Sequence, residues 1–324
     1  LVILIEKNHS KQKKHNMKII GIGNAIVDVI CKVSDDFLDK HSLIKSTMKL
    51  IDENEFKSLL SELKIHETVS GGSVANSTVG LAQLNNEVGF IGKVNNDNLG
   101  QKYEDGLNNE KVNFLYEKKN DLVPTGSCLI LITPDSERTM CTYLGTAGKI
   151  NDKDINAEII KDSEITFLEG YLWDEGEPKR AFNKAIENSN KVAMSLSDLF
   201  CVERHKNHFL ELVKHKLDII FANEQEILSL IDSKSFEEVI SFSKNLKKSV
   251  IITRGAKGAI AINGEEIVEC AAEKNLKITD LTGAGDLFAA GYLHGLINKL
   301  NVHDCLKYGT KLSSKIIQKI GARI

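Results

Sequence analysis

Asp280-Leu281-Thr282-Gly283-Ala284-Gly285-Asp286 runs straight into the apolar stretch Leu287–Ile297 (LFAAGYLHGLI), which reads as a buried helix. The small residues Gly283, Ala284 and Gly285 let backbone N–H groups converge where that helix starts. A helix start carries partial positive charge, so the loop is a cradle for an anion. A phosphoryl group in transfer, with charge spread over its oxygens, needs such a cradle. Asp286 falls in the first helical turn, where its carboxylate can take the proton of an attacking hydroxyl. The helix end is expected to lower the pKa of Asp286. The bland alternative is a glycine turn followed by a helix-starting Asp. The length of the string and its place before a helix favour the phosphate site.

Outward from this loop the chain alternates strand and helix. Short apolar runs at 18–23, 88–92, 165–169, 191–195, 218–222 and 250–253 read as buried strands. Helical spacing appears at 75–84, 179–187, 203–214, 236–246 and 284–297. The alternation predicts an α/β fold, a mostly parallel sheet with helices on both faces, and a ligand site beyond the carboxyl ends of the strands. Residues 28–50 read as extended chain, and 126–144 as a hairpin turning at Pro134-Asp135-Ser136-Glu137. Residues 1–16 read as a loose tail or an over-extended start, so the folded chain is expected over 17–324.

The chain has 324 residues, 42% of them hydrophobic, enough for a large buried core. A net charge of −3, with signs interspersed, gives no basic field for nucleic acid or a membrane surface. Six scattered cysteines without a C-x-x-C pair suit reduced thiols and a cytoplasmic setting. Gly21-Ile22-Gly23-Asn24-Ala25-Ile26 imitates a dinucleotide fingerprint, but Ile26 stands at its third glycine position and extended chain follows. Cys201, His205 and His208 could space a zinc site, and a polar helix face is the preferred reading.

Asn24 and Asp28 close the first strand, where a carboxamide and a carboxylate can grip vicinal hydroxyls. Gly71 and Gly72 permit close backbone approach, and Asn76 adds a polar contact. Turn chemistry explains Asn24 and Asp28 as well, and a polar helix face explains Asn76. A purine would need apolar or aromatic walls, for which Tyr143, Leu144, Phe167, Tyr171 and Trp173 are candidates alongside a role in the core.

The 280–286 string resembles the D-T-x-G-A-G-D signature of the ribokinase/PfkB family of carbohydrate and nucleoside kinases, with Leu281 where that family usually has Thr. Three more segments resemble the family in its order: 71–76 with 89–94, Asn223-Glu224-Gln225-Glu226, and Thr253-Arg254-Gly255-Ala256-Lys257-Gly258. The resemblance implies a ribokinase-like fold with a small β-strand lid, drawn from about 28–50 and 126–144. It implies ATP as donor, gripped near Thr253, Gly255 and Gly258, with Mg²⁺ and water ordered by Asn223 and Glu226. It implies that Arg138, at the lid's edge, swings towards the transferring phosphate. Mg²⁺ is expected to arrive with ATP, without a protein cage, and a monovalent cation is a further candidate. Gly23-Asn24 with Asp28, and Gly71-Gly72-Ser73 with Asn76-Ser77, are similar to the family's adenosine kinases. The expected reaction is phosphorylation of a ribonucleoside hydroxyl, adenosine to AMP first. A sugar kinase and a nucleoside-binding protein without catalysis are the alternatives, and the chain is expected as a monomer or homodimer.

Overall fold

Short apolar runs that end in Gly, Asn, Ser or Glu become the strands of a central sheet. The computed structural model describes residues 17–135, 137–174 and 176–324. The expected tail at 1–16 and Ser136 of the expected turn lie outside them. The strands are β1 (Ile19–Ile22), β2 (Ile26–Lys32), β3 (Met48–Leu50), β4 (Ile65–Ser70), β5 (Val88–Ile91), β6 (Asn113–Phe114), β7 (Gly126–Ile132), β8 (Arg138–Tyr143), β9 (Ile165–Glu169), β10 (Val192–Ser195), β11 (Ile219–Asn223), β12 (Ser249–Thr253), β13 (Ala259–Asn263) and β14 (Glu266–Cys270). The helices are α1 (Asp35–Lys40), α2 (Glu53–Ser61), α3 (Ser73–Gln83), α4 (Asn98–Asn109), α5 (Ala157–Lys161), α6 (Glu177–Asn188), α7 (Leu199–His215), α8 (Glu224–Leu230), α9 (Phe236–Leu246), α10 (Ala284–Ile297) and α11 (Val302–Ile316).

The large sheet has the order β14-β13-β12-β11-β10-β9-β1-β5-β6. It is parallel from β12 to β6, and β13 and β14 close its other edge antiparallel. Alternate residues of its strands enter two separate cores, as a sheet covered on both faces requires. Ile20, Leu168, Met194, Ile220 and Ile252 pack in one core with residues of α6, α7 and α9. Ile19, Phe167, Phe221 and Ile251 pack in the other with residues of α3, α10 and α11.

A second sheet has the order β3-β8-β7-β2-β4. The expected hairpin is β7 and β8, paired antiparallel. Two features of this sheet depart from the sequence reading. Residues 28–50 are not all extended, because Ser34 caps a helix over Asp35–Lys40 by accepting from the Phe37 amide. Strand β4 joins the sheet beside β2, although its His66, Glu67 and exposed Ile65 gave no buried-strand pattern. Chain direction also settles the dinucleotide imitation: the Gly21–Ile26 turn leads into strand β2 and not into a helix.

Candidate active site

Strands β1, β9, β11 and β12 run parallel, so all deliver their carboxyl ends to one side of the large sheet. Gly283 caps α10 in the left-handed region at φ 77°, and a Cβ there would lie 2.7 Å from the Ala322 Cα. Only glycine fits that position. A Cβ on Gly285 would meet nothing within 4 Å, so the helix start borders open space. The Ala284 amide turns back to the Leu281 carbonyl at 3.2 Å. Asp280 braces the loop. Its Oδ1 accepts from the Thr282 amide and hydroxyl at 3.0 and 2.7 Å, and its Oδ2 accepts from the Gly321 amide at 2.8 Å. Arg138 Nη2 pairs with the same Oδ2 at 2.9 Å, so the smaller sheet's arginine already rests on the glycine loop.

Asp286 is held from α3. Ser73 Oγ donates to its Oδ1 at 2.6 Å, and Asn76 Nδ2 to its Oδ2 at 3.0 Å. Ser77 Oγ donates to its backbone carbonyl at 2.9 Å. Ser73, Asn76 and Ser77 lie at i, i+3 and i+4, hence on one helical face. Burial pushes the Asp286 carboxyl up to about 6, against the opposing pull of Ser73, Asn76 and the Arg323 charge. The sequence reading, which expected the helix end to lower this pKa, is corrected on that point. Desolvation deep in the cleft outweighs the partial charge of a helix start.

Asn24 is tied to the start of α3 by a residue that sequence reasoning missed. Glu169, at the end of β9, is buried. Its Oε1 accepts from both the amide and Nδ2 of Asn24, at 3.2 and 3.0 Å, and its Oε2 from the Val74 amide at 2.9 Å. One carboxylate thus ties the end of β1 to the start of α3, and burial pushes it up to about 7. Gly72 adopts φ 102°, and a Cβ there would sit 2.2 Å from the Asn24 carbonyl. A Cβ on Gly71 would strike the Asp28 carboxylate at 2.5 Å. The paired glycines therefore let the turn before α3 close on Asn24 and Asp28. Burial raises Asp28 to about 7, opposed by Arg323 and Arg138. Both aspartates keep some accessible surface, as groups at the floor of a cleft do.

Asn223 and Glu226 form a reciprocal cap on α8. Glu226 Oε2 accepts from the Asn223 amide at 2.9 Å, and Asn223 Oδ1 from the Glu226 amide at 2.8 Å. Thr253 ends β12, and Gly258, at φ 92°, passes so near the Cys270 carbonyl that a Cβ would lie 2.0 Å from it. Gly255 borders open space. Of the proposed purine walls, Phe167 and Trp173 are core residues, stacked edge-on against Phe221 and Phe182. Tyr171 is exposed, while Tyr143 and Leu144 stay with the smaller sheet.

Arg323 is the second residue the sequence did not single out. Its Nε donates to Asn76 Oδ1 at 3.1 Å, and its Nη2 is sealed from solvent without a partner among the described residues. Nothing in the local pattern of Gly321-Ala322-Arg323 signals this position.

A model of the pfkB family of carbohydrate kinases matches residues 43–324. The chain is similar to the solved adenosine kinase of Sinorhizobium meliloti, at 34% identity over 95% of this chain and 96% of that one, with a TM-score of 0.87. It is equally similar to a probable sugar kinase of Rhizobium etli, at 35% identity over 95% of each chain and a TM-score of 0.86. Adenosine kinase of Schizophyllum commune is 26% identical over 94% of this chain and 96% of its own length.

Proposed function

Given that the chain belongs to the pfkB family of carbohydrate kinases, we propose that it moves the γ-phosphoryl group of ATP to a primary hydroxyl of a ribonucleoside, adenosine first. The observation that carries this reading is the meeting of the glycine loop with α3. The Asp286 carboxylate lies 2.6 Å from Ser73 Oγ and 3.0 Å from Asn76 Nδ2, in the first turn of α10. Asp286 takes the acceptor proton. A carboxylate raised to about 6 is still ionised at neutral pH, and it is a stronger base than an exposed aspartate. The amides at Gly283 and Gly285, with that of Ala284 once it leaves the Leu281 carbonyl, receive the developing charge. Asn24 and Asp28 hold the sugar hydroxyls, in the frame that Glu169, Gly71 and Gly72 set. Arg138 exchanges Asp280 for phosphate oxygens when the smaller sheet closes as a lid and water is excluded.

Mg²⁺ would arrive with ATP at the carboxyl end of β11, where its charge would offset that of the phosphates. Asn223 and Glu226, here bonded to each other, would turn oxygens from that cap to its water shell. Thr253, Gly255 and Gly258 flank the donor nucleotide. A place in purine salvage in the cytoplasm accompanies this reading. Among the described residues no helix is long and apolar enough to cross a membrane.

The smaller sheet favours a nucleoside over a free sugar. Asp28 pairs with Cys128 in register, on a face where Ile26, Cys128, Ile130, Ala147 and Leu144 form a separate apolar cluster. A purine presents two broad apolar faces to such a surface, whereas a free sugar presents only small C–H patches between its hydroxyls. The similarity to the Rhizobium etli sugar kinase supports the second reading, a sugar acceptor. Turnover of adenosine, inosine, ribose and fructose with MgATP separates the two. Adenosine is expected to give the highest kcat/KM, and equal or better turnover of a free sugar refutes the nucleoside assignment.

A further inference from the structure

Two aspartates and a glutamate crowd this cleft, and two arginines face them. Asp286 is faced by Ser73, Asn76, Glu169, Tyr171 and Arg323. Asp28 is faced by Arg138, Arg323, Tyr103 and Cys128. Arg138 is already paired with Asp280 at 2.9 Å. Arg323 makes no ion pair among the described residues, so its positive charge is shared by the cleft instead of being matched to one carboxylate. It reaches the cleft because Gly321, at φ 98°, donates its amide to Asp280 Oδ2 and turns the following residues across the glycine loop.

We infer that Arg323 is a positioning residue of the reaction proposed above. It orients the Asn76 amide between itself and Asp286, and it supplies the charge that opposes Asp28 and Asp286. The chemistry of the amide makes the first half definite. A guanidinium has only donors, so it takes Asn76 Oδ1, and the Nδ2 then points at the Asp286 carboxylate. The chain Arg323–Asn76–Asp286 fixes the base without touching the acceptor. The second half follows from placement. Burial lowers the Arg323 pKa from a very high ordinary value, so the guanidinium stays charged, and its bond to Asn76 Oδ1 at 3.1 Å holds that charge on the Asp286 side, where it favours ionised carboxylates.

The test uses the whole chain with aspartate labelled at the carboxyl carbon. Asp28 and Asp286 resonances are assigned with the Asp28→Asn and Asp286→Asn variants and titrated in wild type, Arg323→Gln and Arg323→Lys. Arg323→Gln keeps a donor for Asn76 but removes the charge; should it not fold, Arg323→Met, which removes donor and charge together, is compared with Arg323→Lys, which keeps both. Loss of charge is expected to move both midpoints up by about one unit, a tenfold loss of ionised carboxylate below the midpoint. The acid limb of kcat/KM should move with them, and Arg323→Lys should restore both. Unmoved midpoints without the charge, or an equal movement in the Lys variant, overturn the inference. The resonances report on Arg323 without turnover. A wild-type protein inactive on adenosine therefore counts against the proposed reaction and leaves this test intact.

Discussion

Asp286→Asn separates catalysis from stability in this fold, and the two effects are expected to have opposite signs. The substitution is nearly isosteric. The Asn oxygen accepts from Asn76 Nδ2, and its NH₂ donates to the Ser73 hydroxyl, so both hydrogen bonds of Asp286 have replacements. The base is lost, and kcat should fall at least a hundredfold while the KM values change little. Stability moves the other way. The folded pKa of Asp286 is raised from 3.8 to about 6 by burial. The folded state therefore binds the proton more tightly than the unfolded state. Its contribution is most favourable below the unfolded value and is lost as pH rises towards the folded value. A gap of about two units corresponds to an upper limit of about 3 kcal/mol at neutral pH. The Asn variant avoids this cost, less the smaller desolvation of an amide. Thermal unfolding at pH 7.5 should give the variant a Tm a few degrees above wild type, with the gap narrowing as pH drops towards 4. Near-normal turnover removes Asp286 from the chemistry. A variant no more stable than wild type at pH 7.5 refutes the buried-charge argument.

Three other substitutions test the frame around the base. Gly72→Ala forces a Cβ to 2.2 Å from the Asn24 carbonyl at φ 102°, so it should destabilise the fold by about 2 kcal/mol or more and raise the acceptor KM, read by melting and initial rates. Glu169→Gln turns an NH₂ towards the donors of either Asn24 or Val74, leaving a buried amide unsatisfied at a cost of about 1–3 kcal/mol. The acceptor KM should rise about tenfold with the ATP KM unchanged, since the bonds of Glu169 go to Asn24 and the start of α3 and, among the described residues, none to residues 223–258. Arg138→Gln should lower kcat about ten- to a hundredfold, because a charged donor to the phosphate is lost. Acceptor affinity, followed by calorimetry, should stay within a few fold, and an unchanged kcat would leave the Arg138–Asp280 pair a structural contact.

Sequence pattern exposed this architecture wherever the physics is local. Parallel strands buried on both faces read as continuous apolar runs, so β9 was bounded to the residue and β1, β10 and β11 to within one or two. Helices α9 and α10 were bounded to the residue because their apolar faces and end signals lie within the segment itself. The same locality failed at the second sheet. Strand β4 exposes three of its six residues in a row and keeps its place by pairing with β2, so its own composition carries little signal. Helix α1 is only six residues long, and its Ser34 cap was hidden in a polar stretch read as extended.

The site divides along the same line. The glycine loop expected to hold an anion, Asn24, Asp28 and the paired glycines sit within short strings that sequence reading can single out. Glu169 and Arg323 act across 145 and 247 positions of sequence, on Asn24 and Asn76 respectively. A glutamate that ends an apolar strand and an arginine in a glycine-rich tail have many uses, and only the fold selects one. Their partners constrain that selection. An asparagine at each place offers an amide whose two ends must be told apart, and in both cases a charged group does the telling. Glu169 accepts from the Asn24 nitrogen, and Arg323 donates to the Asn76 oxygen. Each amide is then oriented: Asn24 turns its nitrogen to Glu169, and Asn76 turns its nitrogen to Asp286. Two ionisable groups distant in sequence thus orient the two asparagines on either side of the start of α3.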